Sequence, residues 1–408
     1  MSEWQEAEHH VERASELIDM GRWEEAEAEL RKALAINSQQ PEWHFNLGLT
    51  LDAAGRTAES VGCFRAAAEL DPKNVNARLC LAVALQRTED FSGALASLEE
   101  VRRIDPNFEP AYCHQIGVLA SLSRHDEAEQ TFYEARLLKE ECPLCYANLG
   151  ESFLARRSFE RAIWCFREAQ RLDPRLNGLH ARLALAFASK GDREQAYRLY
   201  LRDLRDDPGN VQTLLEIGDL LISMERTGEA AEKFRRVLEL EPANAAAHLG
   251  LGRLARCAGR LDVARVELDL AQKLNAETSG LTRELASLWI DEGNQEAARA
   301  ALASLVDEFA EDGDQRLEGV RLLVRVGMLQ EAATLMVRHL KSQPYSADGW
   351  HKLSVIRLTQ GQLAQGIRAA RRCLRYDPCH SKAHYNLILA YRDAGRLARA
   401  VAAARAAR

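Results

Sequence analysis

The sequence contains no run of 18 consecutive apolar residues, so we expect no helix that crosses a bilayer. Its first ten residues, MSEWQEAEHH, are acidic and polar, unlike a secretory signal or a transit peptide. No N-x-[ST] acceptor site occurs, and we expect the nine cysteines to be free thiols in a reducing compartment. Aromatic residues make up only 6% of the chain, but 47% hydrophobic residues are enough to form a core. We therefore predict a folded cytoplasmic protein without membrane insertion.

Signatures of catalysis are also missing. The sequence has no P-loop, no HExxH, no G-x-S-x-G and no dinucleotide-binding loop after a strand. Glycines do cluster in the segment GLGRLARCAG (250–259), but they fall on positions within a helical pattern. We predict that the chain is not an enzyme and binds no cofactor.

The prolines show a regular spacing. Seven of the ten are separated by 34 residues or a multiple of 34. They are Pro72, Pro106, Pro174, Pro208, Pro242, Pro344 and Pro378. A fixed period of this length is typical of tandem structural repeats. Frames of 34 residues then begin at positions 7, 41, 75, 109, 143, 177, 211, 245, 279, 313, 347 and 381.

Each frame has the features of two packed helices. Apolar residues recur at helical spacing over positions 3–14 and 18–31 of a frame. Position 15 is glycine in eight of the twelve frames, which suits a turn that ends the first helix. Position 20 is always alanine, serine or glycine, so two helices can approach closely there. Proline at position 32 stops the second helix because its ring interrupts the hydrogen-bond ladder.

These features resemble the tetratricopeptide repeat, most closely in the segments at 43–72 and 145–174. The resemblance implies an all-α, right-handed superhelical α-solenoid of about 12 helix-turn-helix units. We assign residues 1–6 to an N-terminal extension and residues 7–408 to a continuous array whose last repeat is incomplete. The family implies a scaffold or adaptor that binds a peptide or helix of a partner protein in a concave groove lined by the first helices.

Charge is distributed unevenly along the chain. Residues 315–408 contain 17 Lys and Arg against 5 Asp and Glu, whereas the chain as a whole has a net charge of −7. This asymmetry predicts an acidic partner segment at the C-terminal repeats. By analogy with the family, the basic residues that face the groove are Arg253, Arg256, Arg283, Arg321, Arg325, His351, Lys382 and Arg392. A second basic set is expected to face outward from the second helices: Arg338, Arg371, Arg372, Arg375 and Arg405.

Other functions stay open at this stage. The chain could bind nucleic acid or another polyanion through its basic end, although the acidic remainder would repel phosphate and few aromatic residues accompany the basic ones. It could be the targeting arm of an enzyme whose catalytic subunit is a separate chain. Self-association through the incomplete last repeat is a further alternative, because repeat arrays normally end in a polar cap.

Frame four departs from the pattern. Its glycine, Gly117, comes one position late, which predicts a turn one residue short. A Cys142-Pro143-Leu144-Cys145 segment follows, and Cys113 with His114 precedes it on the first helix. Zinc would accept these ligands, making a metal-sensing scaffold a further alternative, but we predict buried structural thiols and no metal. Cys379, His380 and His384 form a second, weaker candidate for a metal site.

Overall fold

The computed structural model describes residues 3–138, 141–176, 178–278, 280–311, 313 and 315–406. Within these ranges the chain forms 25 α-helices and no β-strand, so the predicted all-α fold of paired helices is confirmed. We number the frames as repeats one to twelve, each with a first and a second helix. No helix of the described residues is long and apolar enough to cross a membrane.

The first helices are α1 (Glu3–Asp19), α3 (Pro41–Ala53), α5 (Val75–Arg87), α7 (Glu109–Ser121), α9 (Pro143–Ala155), α11 (Leu179–Lys190), α13 (Val211–Ser223), α15 (Ala245–Cys257), α17 (Leu281–Asp291), α20 (Gln315–Arg325), α22 (Ala347–Thr359) and α24 (Ser381–Asp393). The second helices are α2 (Trp23–Ile36), α4 (Thr57–Leu70), α6 (Phe91–Ile104), α8 (His125–Leu138), α10 (Phe159–Leu172), α12 (Arg193–Asp206), α14 (Thr227–Leu240), α16 (Leu261–Leu274), α18 (Gln295–Ser304), α21 (Leu329–Ser342), α23 (Leu363–Tyr376) and α25 (Leu397–Ala406). A short extra helix, α19 (Val306–Glu311), follows α18 in repeat nine.

Helix boundaries follow the 34-residue frame closely. Every second helix begins at position 17 of its repeat, one residue before the predicted start. Most first helices begin at position 1, two residues before the predicted start. The helix α1 begins at Glu3, so part of the stretch assigned to an N-terminal extension lies within this helix.

The turn between the two helices has one backbone conformation throughout. Position 15 has a positive φ in all twelve repeats, and glycine occupies it in eight. Ser123 takes this conformation in repeat four, with a φ of 58°. The turn of repeat four therefore has its usual length, and the prediction of a shortened turn was wrong because Gly117 lies inside α7 and is not the turn residue.

Small residues allow the two helices of a repeat to pack closely. The alanine at position 20 is fully buried in repeat after repeat, as at Ala128 and Ala162. Gly48 of α3 faces the ring of Phe64 on α4, and a Cβ atom there would lie 2.6 Å from the ring. Such a contact leaves no room for a side chain, so the glycine is required for this packing.

The contacts divide the chain into two compact units, Met1–Thr213 and Leu214–Arg408. In the first unit, each second helix from α2 to α10 packs on its own first helix and on the first helix of the next repeat. In the second unit the same pattern links α15 to α17 and α20 to α25. Stacking of this kind buries apolar faces that one repeat could not bury alone.

Repeat nine breaks the pattern. Its second helix ends at Ser304, and a new short helix starts at Val306. The break lets Phe309 become fully buried against α20, where the ring leaves no space for a Cβ atom on Gly319. The unbroken helix predicted for this repeat is therefore replaced by two shorter ones.

Candidate functional site

Three of the basic residues predicted to line the groove form ion pairs with carboxylates of a neighbouring repeat in the second unit; they are Arg253, Arg256 and Arg325. Arg253 of α15 lies 2.6 Å from Asp219 of α13. Arg256 of α15 donates hydrogen bonds to Glu284 at 3.1 Å and to Asp291 at 3.0 Å, both on α17. These arginines are therefore neutralised by carboxylates of the neighbouring repeat.

Asp291 of repeat nine forms ion pairs with arginines of both neighbouring repeats. Besides Arg256, it accepts a hydrogen bond of 2.9 Å from Arg325 of α20. Burial raises the pKa of Asp291, but the bonds from Arg325 and Arg256 lower it more, and the net pKa lies below its usual value. Burial also lowers the pKa of Arg256, while Glu284 and Asp291 raise it more. The carboxylate of Asp291 and the guanidinium group of Arg256 consequently stay ionised at neutral pH.

The other predicted groove arginines lie apart from this network. Arg283 donates to Gln315 at 2.7 Å, and Arg321 pairs with Glu318 one helical turn earlier. Arg392 pairs with the adjacent Asp393 at 3.0 Å.

His351 and Lys382 lie together at the C-terminal end. Both line an open cavity of about 460 Å³ between α22 and α24, beside the exposed ring of Tyr385. The ring of His351 is 4.7 Å from that of His380. Burial and this second ring lower the pKa of His351, so its side chain is mostly neutral at pH 7. Lys382 is exposed and has no ion-pair partner among the described residues.

A different set of arginines lies on α23. Arg368, Arg371, Arg372 and Arg375 lie at i, i+3, i+4 and i+7 on one side of α23, and all four are exposed. None of them has an ion-pair partner in the part of the chain that the structure describes. We call these four side chains the α23 arginine face. The outward set predicted from sequence contained three of them and omitted Arg368, although α23 contains no Asp or Glu at all.

The α23 arginine face borders a cleft. A cavity of about 600 Å³ lies between α21, α22 and α23, and all four arginines line it. Trp350 of α22 forms part of its wall, and the guanidinium carbon of Arg372 is 4.6 Å from the centre of the indole ring. The indole nitrogen donates to the carbonyl of Pro344 at 2.8 Å, which fixes the ring. The cleft thus combines a fixed aromatic ring with five arginines, the four of the α23 face and Arg357 of α22.

Three cysteines meet between repeats four and five. Cys113 Sγ on α7 lies 2.7 Å from Cys145 Sγ and 3.0 Å from Cys142 Sγ at the start of α9. We call Cys113, Cys142 and Cys145 the cysteine cluster; all three are buried free thiols. His114, the predicted fourth ligand, is not part of the group. It follows Cys113 directly and so lies about 100° around the helix, whereas Glu109 lies one turn earlier on the same face.

Glu109, and not His114, is the fourth residue of this group. The Cys113 thiol donates to Glu109 Oε1 at 3.2 Å, and the possible ligand atoms of all four residues lie within 4.8 Å of one another. Contact with Cys113 lowers the pKa of Cys142, and the same contact raises the pKa of Cys113.

The second metal candidate changes in a similar way. Cys379 is exposed, and His384 bonds to the carbonyl of Pro378. His380 instead lies near Asp348 and His351. The three residues expected to act together are therefore not grouped.

The tetratricopeptide repeat is the family that the comparisons show. One model of this repeat matches residues 11–75, 49–108, 215–277 and 351–408, which is more than half of the chain, and a second matches residues 179–212. The chain belongs to the tetratricopeptide repeat family.

Curated relatives of this tetratricopeptide repeat protein are distant. A tetratricopeptide repeat and J domain-containing co-chaperone, DNJ1, of Fusarium oxysporum is 26% identical over 48% of this chain and 39% of its own length. The human protein O-mannosyl-transferase TMTC3 is 23% identical over 90% of this chain and 42% of its own length. This chain thus spans about two fifths of either relative. Because one of them is named a transferase, the absence of catalytic activity stays a prediction. The cytoplasmic location also stays a prediction.

Among solved structures, the crystal structure of the APC/C hetero-tetramer Cut9–Hcn1 is similar to this chain. The likeness has a TM-score of 0.46 at 15% identity and covers 98% of this chain and 93% of the other.

Proposed function

We propose that this tetratricopeptide repeat protein is a non-catalytic scaffold, and that an acidic segment of its partner protein binds the α23 arginine face. The observation that carries the proposal is the set of four exposed arginines that form no ion pair with any residue that the structure describes. An arginine that is already paired offers little to a partner, whereas an unpaired guanidinium keeps all five of its donors.

The spacing of the four arginines suits a peptide. From Arg368 to Arg375 the helix axis rises about 10 Å, which is the length of two helical turns or of about three extended residues. Guanidinium groups bind carboxylates through two parallel hydrogen bonds. A partner segment with two or more Asp or Glu residues over this length could therefore engage several arginines at once.

The cleft supplies a place for an apolar side chain as well. Trp350 and Leu353 lie beside the arginines in its wall. Aromatic and arginine side chains are the residues that most often dominate the binding energy of protein interfaces. We expect the partner segment to carry one apolar residue among its acidic ones.

The groove of the C-terminal repeats is the second candidate. The unpaired Lys382 and the exposed Tyr385, with a side chain 63% accessible, favour it. Against it stand the carboxylates that already bind Arg253, Arg256 and Arg325. We place the α23 arginine face first for this reason.

The test compares two variants that lose the same charge. One replaces the four arginines of the α23 face with glutamine, and the other replaces Arg283, Arg321, Lys382 and Arg392 with glutamine. Each is used with the unaltered chain to capture proteins from nuclease-treated lysate, and circular dichroism checks the helix content. We expect the α23 variant to lose a partner that the groove variant retains, and a synthetic acidic peptide from that partner to bind the unaltered chain directly.

Other outcomes point elsewhere. Loss of the partner in the groove variant alone would move the site to the first helices. Capture by all three proteins from a parallel untreated lysate that is lost from the nuclease-treated one would instead indicate a nucleic acid. Equal capture by all three proteins would contradict both basic sites and turn attention to the acidic repeats or to self-association.

A further inference from the structure

The cysteine cluster lies where two helices begin. Glu109 is the first residue of α7, and Cys113 follows one turn later. Cys142 is the N-cap of α9, and Cys145 is its third residue. Four potential ligands from two consecutive first helices thus meet at one point, and none of them belongs to the basic surfaces described above.

The surroundings favour negative charge at this point. The backbone N–H of Cys145 donates to Cys142 Sγ at 3.3 Å. The N-terminus of a helix carries a partial positive charge, and thiols at such a position ionise more readily. Since both α7 and α9 begin here, the two helices together can stabilise a cluster of thiolates.

The ligand set selects a class of metal. Thiolate sulfur binds zinc and other soft or borderline metals, whereas Ca²⁺ and Mg²⁺ require oxygen ligands. Three cysteines and one carboxylate provide the four ligands of a tetrahedral zinc site. The Cys-x-x-Cys spacing at the start of α9 is also a common half of such sites.

We propose that Glu109, Cys113, Cys142 and Cys145 bind one Zn²⁺ ion, which joins repeats four and five. Zinc–sulfur bonds of about 2.3 Å in a tetrahedron separate two sulfur atoms by about 3.8 Å. The four ligand atoms already lie within 4.8 Å of one another, and the sulfur pairs of Cys113 are 2.7 and 3.0 Å apart. Binding needs changes of only about 1 Å in these separations, which lie within the reach of side-chain rotation.

The packing around the cluster holds its two halves together. The helices α7 and α9 lie directly against each other, and Asn148 of α9 donates to the carbonyl of Cys113 at 2.7 Å. Cys113, Cys142 and Cys145 are at most 5% accessible. The ligands are therefore arranged before the metal binds, and water has little access to the three sulfur atoms.

The test measures zinc in the full-length protein. The chain is purified under reducing conditions from zinc-supplemented medium, and its metal content is determined by mass spectrometry. We expect one zinc ion per chain, no bound zinc in Cys142→Ser, and zinc affinity at least about tenfold weaker in Glu109→Gln. Cys165→Ser is the matched control, because Cys165 is a buried thiol of α10 outside the ligand group, and it should keep the full zinc content.

Cobalt gives an independent reading. Substitution of zinc by Co²⁺ should produce the intense visible bands of a tetrahedral site and the thiolate-to-cobalt charge-transfer bands. The latter should weaken in Cys142→Ser. If that variant fails to fold, Glu109→Gln and its competition with a chelator still measure the site, since the glutamine keeps the size of the side chain.

Two results would overturn the proposal. The first is a protein that binds no zinc in excess metal while all nine cysteines react with a thiol reagent after unfolding. The second is a disulfide between Cys113 and either Cys142 or Cys145, detected by peptide mass mapping of the protein purified without exposure to air.

Discussion

Repeats eight to ten and repeat eleven are both rich in arginine, but the arginines have different neighbours. In the former, Arg256 and Arg325 share the carboxylate of Asp291 and hold successive repeats together. In repeat eleven, the four arginines of the α23 arginine face have no ion-pair partner among the described residues. The difference shows that net charge alone does not identify a binding surface, because only the unpaired cations are available to a partner.

The stacking of the repeats explains the difference. Residues at the same position of consecutive repeats lie 34 apart in sequence and next to each other in space. Asp219 and Arg253 share position 9, and Asp291 and Arg325 share position 13. The residues of repeat ten that correspond to the α23 arginine face are Thr334, Val337, Arg338 and Lys341. None of them is acidic, so the neighbouring repeat supplies no partner.

The largest effect is expected from removal of the unpaired arginines. Changing all four residues of the α23 arginine face to glutamine should weaken binding of the isolated acidic partner segment by at least about a hundredfold, or about 3 kcal/mol. Titration calorimetry measures this loss. The groove variant with the same charge should change the affinity by less than about threefold. Affinity losses of the same size in both variants would mean that only the net charge matters and would remove the contrast between the two regions.

The second effect concerns the paired region. Asp291→Asn leaves Arg325 without its carboxylate and Arg256 with one carboxylate instead of two, and should destabilise α17 and α20 locally by about 2 kcal/mol. Hydrogen exchange of peptides from these helices measures the change. Asp219→Asn is the control, because its side chain is 64% exposed and its pair with Arg253 should contribute less than about 1 kcal/mol. Equal protection in both variants would contradict the structural role of the shared carboxylate.

The ion pairs of Asp291 also predict that the stability of the protein depends on pH. The folded pKa of Asp291 lies below its ordinary value of 3.8, so its ionised form stabilises the folded state. This contribution is complete above the unfolded pKa and is lost as the pH falls through the folded value. The difference in stability between the unaltered chain and Asp291→Asn should therefore be constant from pH 5 to 7 and shrink below about pH 3.5. A difference that is unchanged at pH 2.5 would exclude this origin.

Much of the fold could be predicted from sequence because the repeat fixes local geometry. The 34-residue frame placed both helices of a repeat to within one or two residues. It did not show that Glu89, Ser123, Arg157 and Glu225 adopt the left-handed turn otherwise occupied by glycine. The break in repeat nine was also missed, because it depends on the burial of Phe309 against the next repeat, which is a tertiary contact.

The candidate sites were harder to predict. Sequence reasoning located the arginines but did not consider which carboxylates would pair with them. The acidic partners of Arg253 and Arg325 lie 34 residues earlier, at the same position of the preceding repeat. Sequence reasoning also selected His114 because it lies beside Cys113 in sequence. Helical geometry favours the residue four positions earlier, and Glu109 is found in the group.

A single substitution should give the α23 arginine face an internal ion pair like those of repeats eight to ten. Gln365 lies on α23, lines the cleft and is three residues before Arg368. In Gln365→Glu the new carboxylate can pair with Arg368, as Glu318 pairs with Arg321. We expect about a fivefold loss of affinity for the acidic segment, measured by the same titration, with no change in helix content. Gln330→Glu, an exposed position of α21 outside the cleft lining, serves as the control; an equal loss there would point to general repulsion between the new charge and the partner.

The smallest effect is expected at the aromatic wall of the cleft. Trp350 holds the guanidinium group of Arg372 over its ring, and a cation–π contact at an exposed site contributes about 0.5–1 kcal/mol. Trp350→Phe keeps an apolar ring but weakens this contact and loses the hydrogen bond to Pro344, so that Arg372 becomes less ordered before binding. We expect a two- to fivefold loss of affinity that disappears when Arg372→Gln is already present, as a double-mutant cycle would show. Additive losses would mean that the ring contacts the partner directly and does not act by positioning Arg372.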